Sequence, residues 1–80
     1  MYSTERCPFC LRAEQLLQRK GVRDVRKIMV DRDPKALEAM LALTRRRTVP
    51  QIYIADRHVG GFDDLEALDR AGVLDAILAP

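Results

Sequence analysis

Two cysteines, Cys7 and Cys10, lie one helical turn apart, where a short apolar segment ends and an amphipathic helix is predicted to begin. The first turn of a helix carries unpaired N–H groups and a partial positive charge, which favour a thiolate over the neutral thiol. Because the thiolate is the nucleophile in disulfide exchange, Cys7 is the candidate for attack and Cys10 for resolving a mixed disulfide. Pro8 suits the first helical position, which needs no N–H donor.

A metal site or a purely structural role fits this cysteine pair less well. A zinc site needs four ligands, whereas beyond the two cysteines the chain has one histidine, His58, far along the sequence. We therefore expect no metal, and we expect His58 to be a surface residue. A permanent structural disulfide across so short a loop restrains little unfolded-chain entropy. Two inert core cysteines remain an alternative, although Arg6 beside Cys7 favours an electropositive thiol environment.

Size and composition indicate one small globular domain, residues 1–80. The 80 residues are 48% hydrophobic and 32% charged, which is typical of a folded protein and not of a disordered or membrane-spanning chain. With no export signal recognised, we expect a cytoplasmic protein that does not bind membranes. The net charge of +2 is too small to predict nucleic-acid binding. The arginines at 45–47 form either a solvated loop or a site that recognises a carboxylate.

Periodicity and turn residues predict the element order βαβαββα with one added short helix. Asp33 and Pro34 have the residue types of an N-cap and a first helical position, and Asp63 with Glu66 resembles a capping box. Strands are predicted at residues 1–3, 25–30, 51–55 and 58–59, and helices at 8–20, from 34 onward, at 63–70 and at 73–78. The predicted core-facing residues are Ala13, Leu16, Leu17, Leu37, Met40, Leu41, Ile52 and Ile54.

Three motifs taken together resemble the glutaredoxin family in order and approximate spacing. They are Cys7-Pro8-Phe9-Cys10, Thr48-Val49-Pro50 and the Gly-Gly-Phe-Asp-Asp-Leu segment at 60–65. The resemblance runs through nearly the whole chain. It implies an α/β, thioredoxin-like fold in which a four-stranded mixed sheet, order 2-1-3-4, is flanked by helices.

The resemblance also implies a function. The chain is expected to be an enzyme, a glutathione-dependent thiol–disulfide oxidoreductase in which Cys7 and Cys10 are catalytic and glutathione is the co-substrate. Expected partners are glutathione and disulfide-bearing or glutathionylated proteins, with ribonucleotide reductase as a client by family analogy alone. We expect the protein to act as a monomer.

A glutathione groove follows from the same resemblance. The bond before Pro50 should be cis, which leaves the Val49 backbone free to pair with an extended substrate. The γ-glutamyl carboxylate would lie on the amides of Phe62 and Asp63 at a helix N-terminus, and Asp64 would face the ammonium. The expected glutathione-contacting residues are Arg6, Phe9, Arg46, Arg47, Thr48, Val49, Pro50, Gly61, Phe62, Asp63 and Asp64.

The sequence departs from the family pattern at two positions that affect the thiol. Thr4 stands where a lysine or arginine is common, so Arg6 would have to supply that cation. Phe9, expected at the rim of the site, replaces a tyrosine.

Two further expectations concern the basic cluster and the first strand. Either Arg46 or Arg47 would bind the glycyl carboxylate. The short first strand, residues 1–3, predicts low stability or a native start further upstream.

Two other functions stay open at this point. One is a glutaredoxin-like hydrogen donor reduced by thioredoxin reductase, which the Gly61-Phe62 pair suggests. The other is a dimer that binds an iron–sulfur cluster with the help of glutathione, which Pro8 and Cys10 disfavour.

Overall fold

In the computed structural model, which describes residues 1–79, four short strands and four helices follow one another in the predicted order. The α/β class is confirmed. The elements are β1 (Tyr2–Ser3), α1 (Pro8–Arg19), β2 (Ile28–Met29), α2 (Pro34–Thr44), β3 (Ile52–Ile54), β4 (Arg57–Gly60), α3 (Phe62–Arg70) and α4 (Leu74–Leu78). No helix within residues 1–79 is long and apolar enough to span a bilayer.

The strands form two small sheets. β1 pairs in parallel with β2, and β3 pairs antiparallel with β4. A single antiparallel bridge links the two sheets, with backbone hydrogen bonds of 2.9 and 3.1 Å between Tyr2 and Gln51. The continuous four-stranded sheet in order 2-1-3-4 is therefore not confirmed. Since β1 has only two residues, it has few backbone groups to pair on both of its sides.

The helix starts follow local signals, with one correction. Asp33 caps α2, its Oδ1 accepting from the Lys35 N–H at 3.0 Å, as predicted. α3 begins at Phe62, and its N-cap is Gly61. The predicted box of Asp63 with Glu66 is wrong, because the acid three residues after the actual N-cap is Asp64.

Two apolar clusters make up the core. The inner face of α1 is buried as predicted, and so is Met40 of α2. Leu37, also predicted to be inside, is 37% exposed, so the apolar stripe of α2 is only partly covered near its N-terminal end. One cluster contains Ala13, Leu16, Leu17, Ile52, Leu65 and Leu74, and the other contains Tyr2, Val30 and Met40. Because α1 and α3 both contribute side chains to the first cluster, the core fixes the positions of the two helices relative to each other.

Candidate active site

Cys7 is the N-cap residue of α1. Its extended backbone (φ −131°, ψ 97°) lets the backbone N–H of Cys10 donate to the Cys7 sulfur at 3.1 Å. Pro8 begins the helix without needing a hydrogen-bond partner for its nitrogen. The Cys7 sulfur therefore occupies the place that the side-chain oxygen of a usual N-cap residue takes, where developing negative charge is favoured.

The two sulfurs are joined as a disulfide, with the Cα atoms 5.2 Å apart. Cys10 is only 3% exposed, whereas Cys7 is half-buried. A substrate sulfur can therefore reach Cys7 from outside, and Cys10 is placed to attack from within the protein. This arrangement supports the roles that the sequence predicts for the pair.

The Thr48-Val49-Pro50 segment lies beside the cysteine pair although it is some 40 residues away in sequence. The Val49–Pro50 bond is cis, as expected. The carbonyl oxygen of Val49 is 3.8 Å from the Cys7 sulfur. The backbone of this segment therefore flanks the reacting atom.

A cleft of about 320 Å³ opens next to this segment. Phe9 forms part of its rim, half exposed, with its ring centroid 6.0 Å from that of Phe62. Every residue that lines the cleft is among the predicted glutathione contacts: Phe9, Arg46, Thr48, Val49, Pro50, Gly61, Phe62, Asp63 and Asp64. Two predicted contacts, Arg6 and Arg47, are exposed and do not line it.

The N-terminus of α3 supplies hydrogen-bond donors to this cleft. Helix geometry leaves the first N–H groups without intrahelical partners, and Gly61 has no side chain to cap them. Asp64 Oδ2 accepts from the N–H of Gly61 at 2.9 Å. The amides of Phe62 and Asp63 remain available for an acceptor such as a carboxylate.

Arg46 and Asp64 form an ion pair in the wall of the cleft. Arg46 Nη1 is 3.0 Å from Asp64 Oδ2, and both side chains are about half exposed. The N–H of Gly61, and then the guanidinium of Arg46, hold the pKa of the Asp64 carboxyl below its ordinary value. Of the two carboxylates that line the cleft, Asp64 is thus held as an anion by its ion pair with Arg46, whereas Asp63 is the neighbouring acid.

This pKa shift predicts a pH-dependent effect of Asp64→Asn on stability. A carboxyl whose pKa is lower in the folded chain stabilises it above the unfolded pKa, near 3.8, and that contribution is lost as pH falls through the folded value. Because the pair is half exposed, we expect a loss of at most about 1 kcal/mol at neutral pH, disappearing in acid. Urea unfolding across pH measures it. Asp63→Asn is the matched control, and a loss for Asp64→Asn that does not change with pH would contradict this explanation.

His58 is not the surface residue that the sequence predicts. It is half-buried, with Nε2 2.8 Å from Oε1 of the fully buried Gln51. The sequence signal for a buried polar contact here was Gln51, a polar residue at the start of the otherwise apolar segment 51–55, directly after Thr-Val-Pro. Among residues 1–79, no group of three or more His, Cys, Asp or Glu side chains is arranged to hold a metal ion.

Comparisons with known proteins agree with this geometry. The glutaredoxin family model matches residues 1–59. A glutaredoxin of Pseudomonas aeruginosa is 52% identical over 79 residues, covering 99% of this chain and 93% of the relative. Glutaredoxin 3 of Escherichia coli is 45% identical over 78 residues, covering 98% and 93%.

Solved structures lead to the same family. A dithiolic glutaredoxin of Trypanosoma brucei brucei has a TM-score of 0.86 at 36% identity, covering 98% of this chain and 82% of the other. A buckwheat glutaredoxin–glutathione complex has a TM-score of 0.87 at 31% identity, covering 96% and 72%. The predicted thioredoxin-like fold is thereby confirmed. The chain belongs to the glutaredoxin family, and its Cys7–Cys10 pair is the redox centre of a thiol–disulfide oxidoreductase.

Proposed function

We propose that this chain reduces protein disulfides and protein–glutathione mixed disulfides with glutathione as the reductant. The observation that carries the proposal is the cleft beside Cys7, which combines free amide donors, a guanidinium and two carboxylates. Glutathione is a tripeptide with a carboxylate at each end and one ammonium, so the free amides can donate to one of its carboxylates and Asp64 can face its ammonium. The buckwheat glutaredoxin that was solved as a glutathione complex gives independent support.

The ligand would lie along the cleft in one direction. Its γ-glutamyl carboxylate accepts from the amides of Phe62 and Asp63, and its ammonium faces Asp64. The backbone of Val49 pairs with the central cysteinyl residue, next to the Cys7 sulfur. The glycyl carboxylate lies at the other end. Arg46 lines the cleft and Arg47 does not, but the 3.0 Å pair with Asp64 keeps Arg46 at the γ-glutamyl end, where it orients the Asp64 carboxylate.

For a glutathionylated protein, the Cys7 thiolate attacks the glutathionyl sulfur. The protein sulfur leaves as a thiolate and takes up a proton, and Cys7 keeps the glutathione as a mixed disulfide. A second glutathione thiolate then attacks that mixed disulfide. Oxidised glutathione leaves, and the Cys7 thiolate is regenerated.

For a protein disulfide, Cys7 attacks one sulfur of the substrate and Cys10 resolves the mixed disulfide. The substrate leaves as a dithiol, and the Cys7–Cys10 disulfide remains. Two glutathione molecules reduce that disulfide and leave as oxidised glutathione. The bonded pair in the structure corresponds to the oxidised end state of this route.

A donor comparison tests the proposal. NADPH oxidation is followed with a glutathionylated protein as substrate, either with glutathione and glutathione reductase or with thioredoxin reductase. We expect turnover with glutathione. Arg46→Met should raise the KM for glutathione by up to about fivefold, because an exposed ion pair contributes at most ~1 kcal/mol. Arg47→Met, the matched control, should leave it unchanged. Turnover with thioredoxin reductase alone would overturn the proposal.

A further inference from the structure

A hydrogen-bonded chain of side chains runs beneath the cleft, from β4 to the Thr48-Val49-Pro50 segment. Gln51 is 0% exposed, yet its amide has partners on both sides. Its Nε2 lies 3.0 Å from the carbonyl oxygen of Thr48 and 3.3 Å from the Thr48 hydroxyl. Its Oε1 lies 2.8 Å from Nε2 of His58. The chain thus connects His58, Gln51 and Thr48.

Chemistry fixes the direction of each hydrogen bond. A backbone carbonyl only accepts, so the group of Gln51 that faces Thr48 must be the NH₂. The Gln51 atom that faces His58 is then an oxygen, which also only accepts. His58 must therefore donate through Nε2–H, and the neutral imidazole is held as the Nε2–H tautomer.

A β-bulge brings His58 to this place. The pairing of β3 with β4 steps from Ile52–Gly60 to Tyr53–His58, which leaves Val59 as the extra residue. His58 thereby lies opposite Tyr53, with ring centroids 5.0 Å apart, on the sheet face that Gln51 shares by alternation along the strand. Bulges commonly re-aim a side chain next to a functional site.

We propose that His58 is a positioning residue for the thiol chemistry. Through Gln51 it holds Thr48, and with it the adjoining Val49, beside Cys7. Thr48 itself is exposed, so the hydrogen bonds from Gln51 secure it from the buried side. Val49 carries the carbonyl that lies 3.8 Å from the Cys7 sulfur. The expected effect on glutathione binding rests on the proposed function, in which the substrate pairs with the backbone of Val49.

His58→Phe removes the donor but keeps an aromatic ring beside Tyr53. The buried Oε1 of Gln51 then has no donor, and its amide must give up Thr48 or stay unsatisfied. We expect the KM for glutathione to rise about tenfold, as for the loss of one buried hydrogen bond, with a smaller change in kcat. His58→Gln, which offers an N–H donor again, should restore most of the affinity.

The double variant Gln51→Met with His58→Phe separates positioning from stability. Replacing both polar partners by apolar side chains of similar shape should bring the thermal midpoint back toward that of the original protein. The KM should nevertheless stay raised, because nothing holds Thr48. A KM that recovers together with the midpoint would show a merely structural role and overturn the proposal.

Imidazole and backbone NMR test the same inference without any glutathione. The spectra should show the Nε2–H tautomer of His58, and His58→Phe should shift the amide resonances of Thr48 and Val49 far more than those of α4. An Nδ1–H tautomer, or unchanged resonances at those two residues, would overturn the inference. If the original protein shows no turnover with glutathione, the proposed function fails while these spectra still decide the positioning.

Discussion

Replacing Cys7 by serine should reduce both deglutathionylation and protein-disulfide reduction to the uncatalysed background. A hydroxyl is not a nucleophile for disulfide exchange at neutral pH, and Cys10 is too buried to act first. The fold should survive, because serine is a preferred N-cap residue and can accept from the same N–H of Cys10. Circular dichroism with both activity assays checks this. Activity that persists in Cys7→Ser would contradict the assignment of the nucleophile.

Cys10→Ser should separate the two activities. Deglutathionylation needs only Cys7 and a second glutathione, so its rate should stay close to that of the original protein. Reduction of a protein disulfide through the two-cysteine route should be lost, because no thiol is left to resolve the mixed disulfide. The two rates are measured with a glutathionylated protein and with a protein that has an internal disulfide. An equal loss of both rates would contradict the assignment of the resolving thiol.

Gly60→Ala should damage both stability and glutathione binding. Gly60 has a φ of +116°, which an alanine adopts only with strain. A Cβ at this position would also overlap the Asp64 carboxylate and lie 3.0 Å from Arg46 Nη1. The strained φ, with the displacement of the Asp64 carboxylate from its partners, predicts a loss of about 2 kcal/mol in the free energy of unfolding, together with a raised KM for glutathione.

Gly72→Ala is the matched control for this change. Gly72 also has a positive φ, +74°, but a Cβ there would meet no heavy atom within 4 Å. It should therefore cost only the backbone strain, about 1 kcal/mol, and leave the KM unchanged. Urea unfolding and the coupled assay compare the two variants. If Gly60→Ala were no more harmful than Gly72→Ala, the contact of Gly60 with the Asp64–Arg46 pair would not matter.

Local signals in the sequence predicted the helices better than the sheet. Pro8 and the apolar spacing after it placed α1 almost to the residue, and Asp33 with Pro34 placed the start of α2. The N-cap of α3 was missed because Gly61 provides no side-chain signal. Strand pairing depends on contacts between distant segments, so the single bridge between the two sheets could not be read from periodicity.

Most of the cleft followed from the three motifs, whereas its finer geometry did not. Arg45 has a positive φ of 57° at the end of α2, and this backbone turn decides how the next two arginines leave the helix. The residues around Arg45 do not predict this positive φ. The sequence therefore could not show which of Arg46 and Arg47 lines the cleft. The contact of His58 with Gln51 depends on a β-bulge, which only the paired strands reveal.

Formation of a mixed disulfide on Cys7 tests the central claim most directly. Reduced Cys10→Ser protein is mixed with oxidised glutathione or with hydroxyethyl disulfide, which lacks the terminal charges of glutathione, and the adducts are followed by mass spectrometry. We predict one adduct, mapped to Cys7, that forms faster with oxidised glutathione and is removed by reduced glutathione. Equal rates with the two disulfides, or no adduct on Cys7, would contradict a glutathione-binding cleft at this thiol.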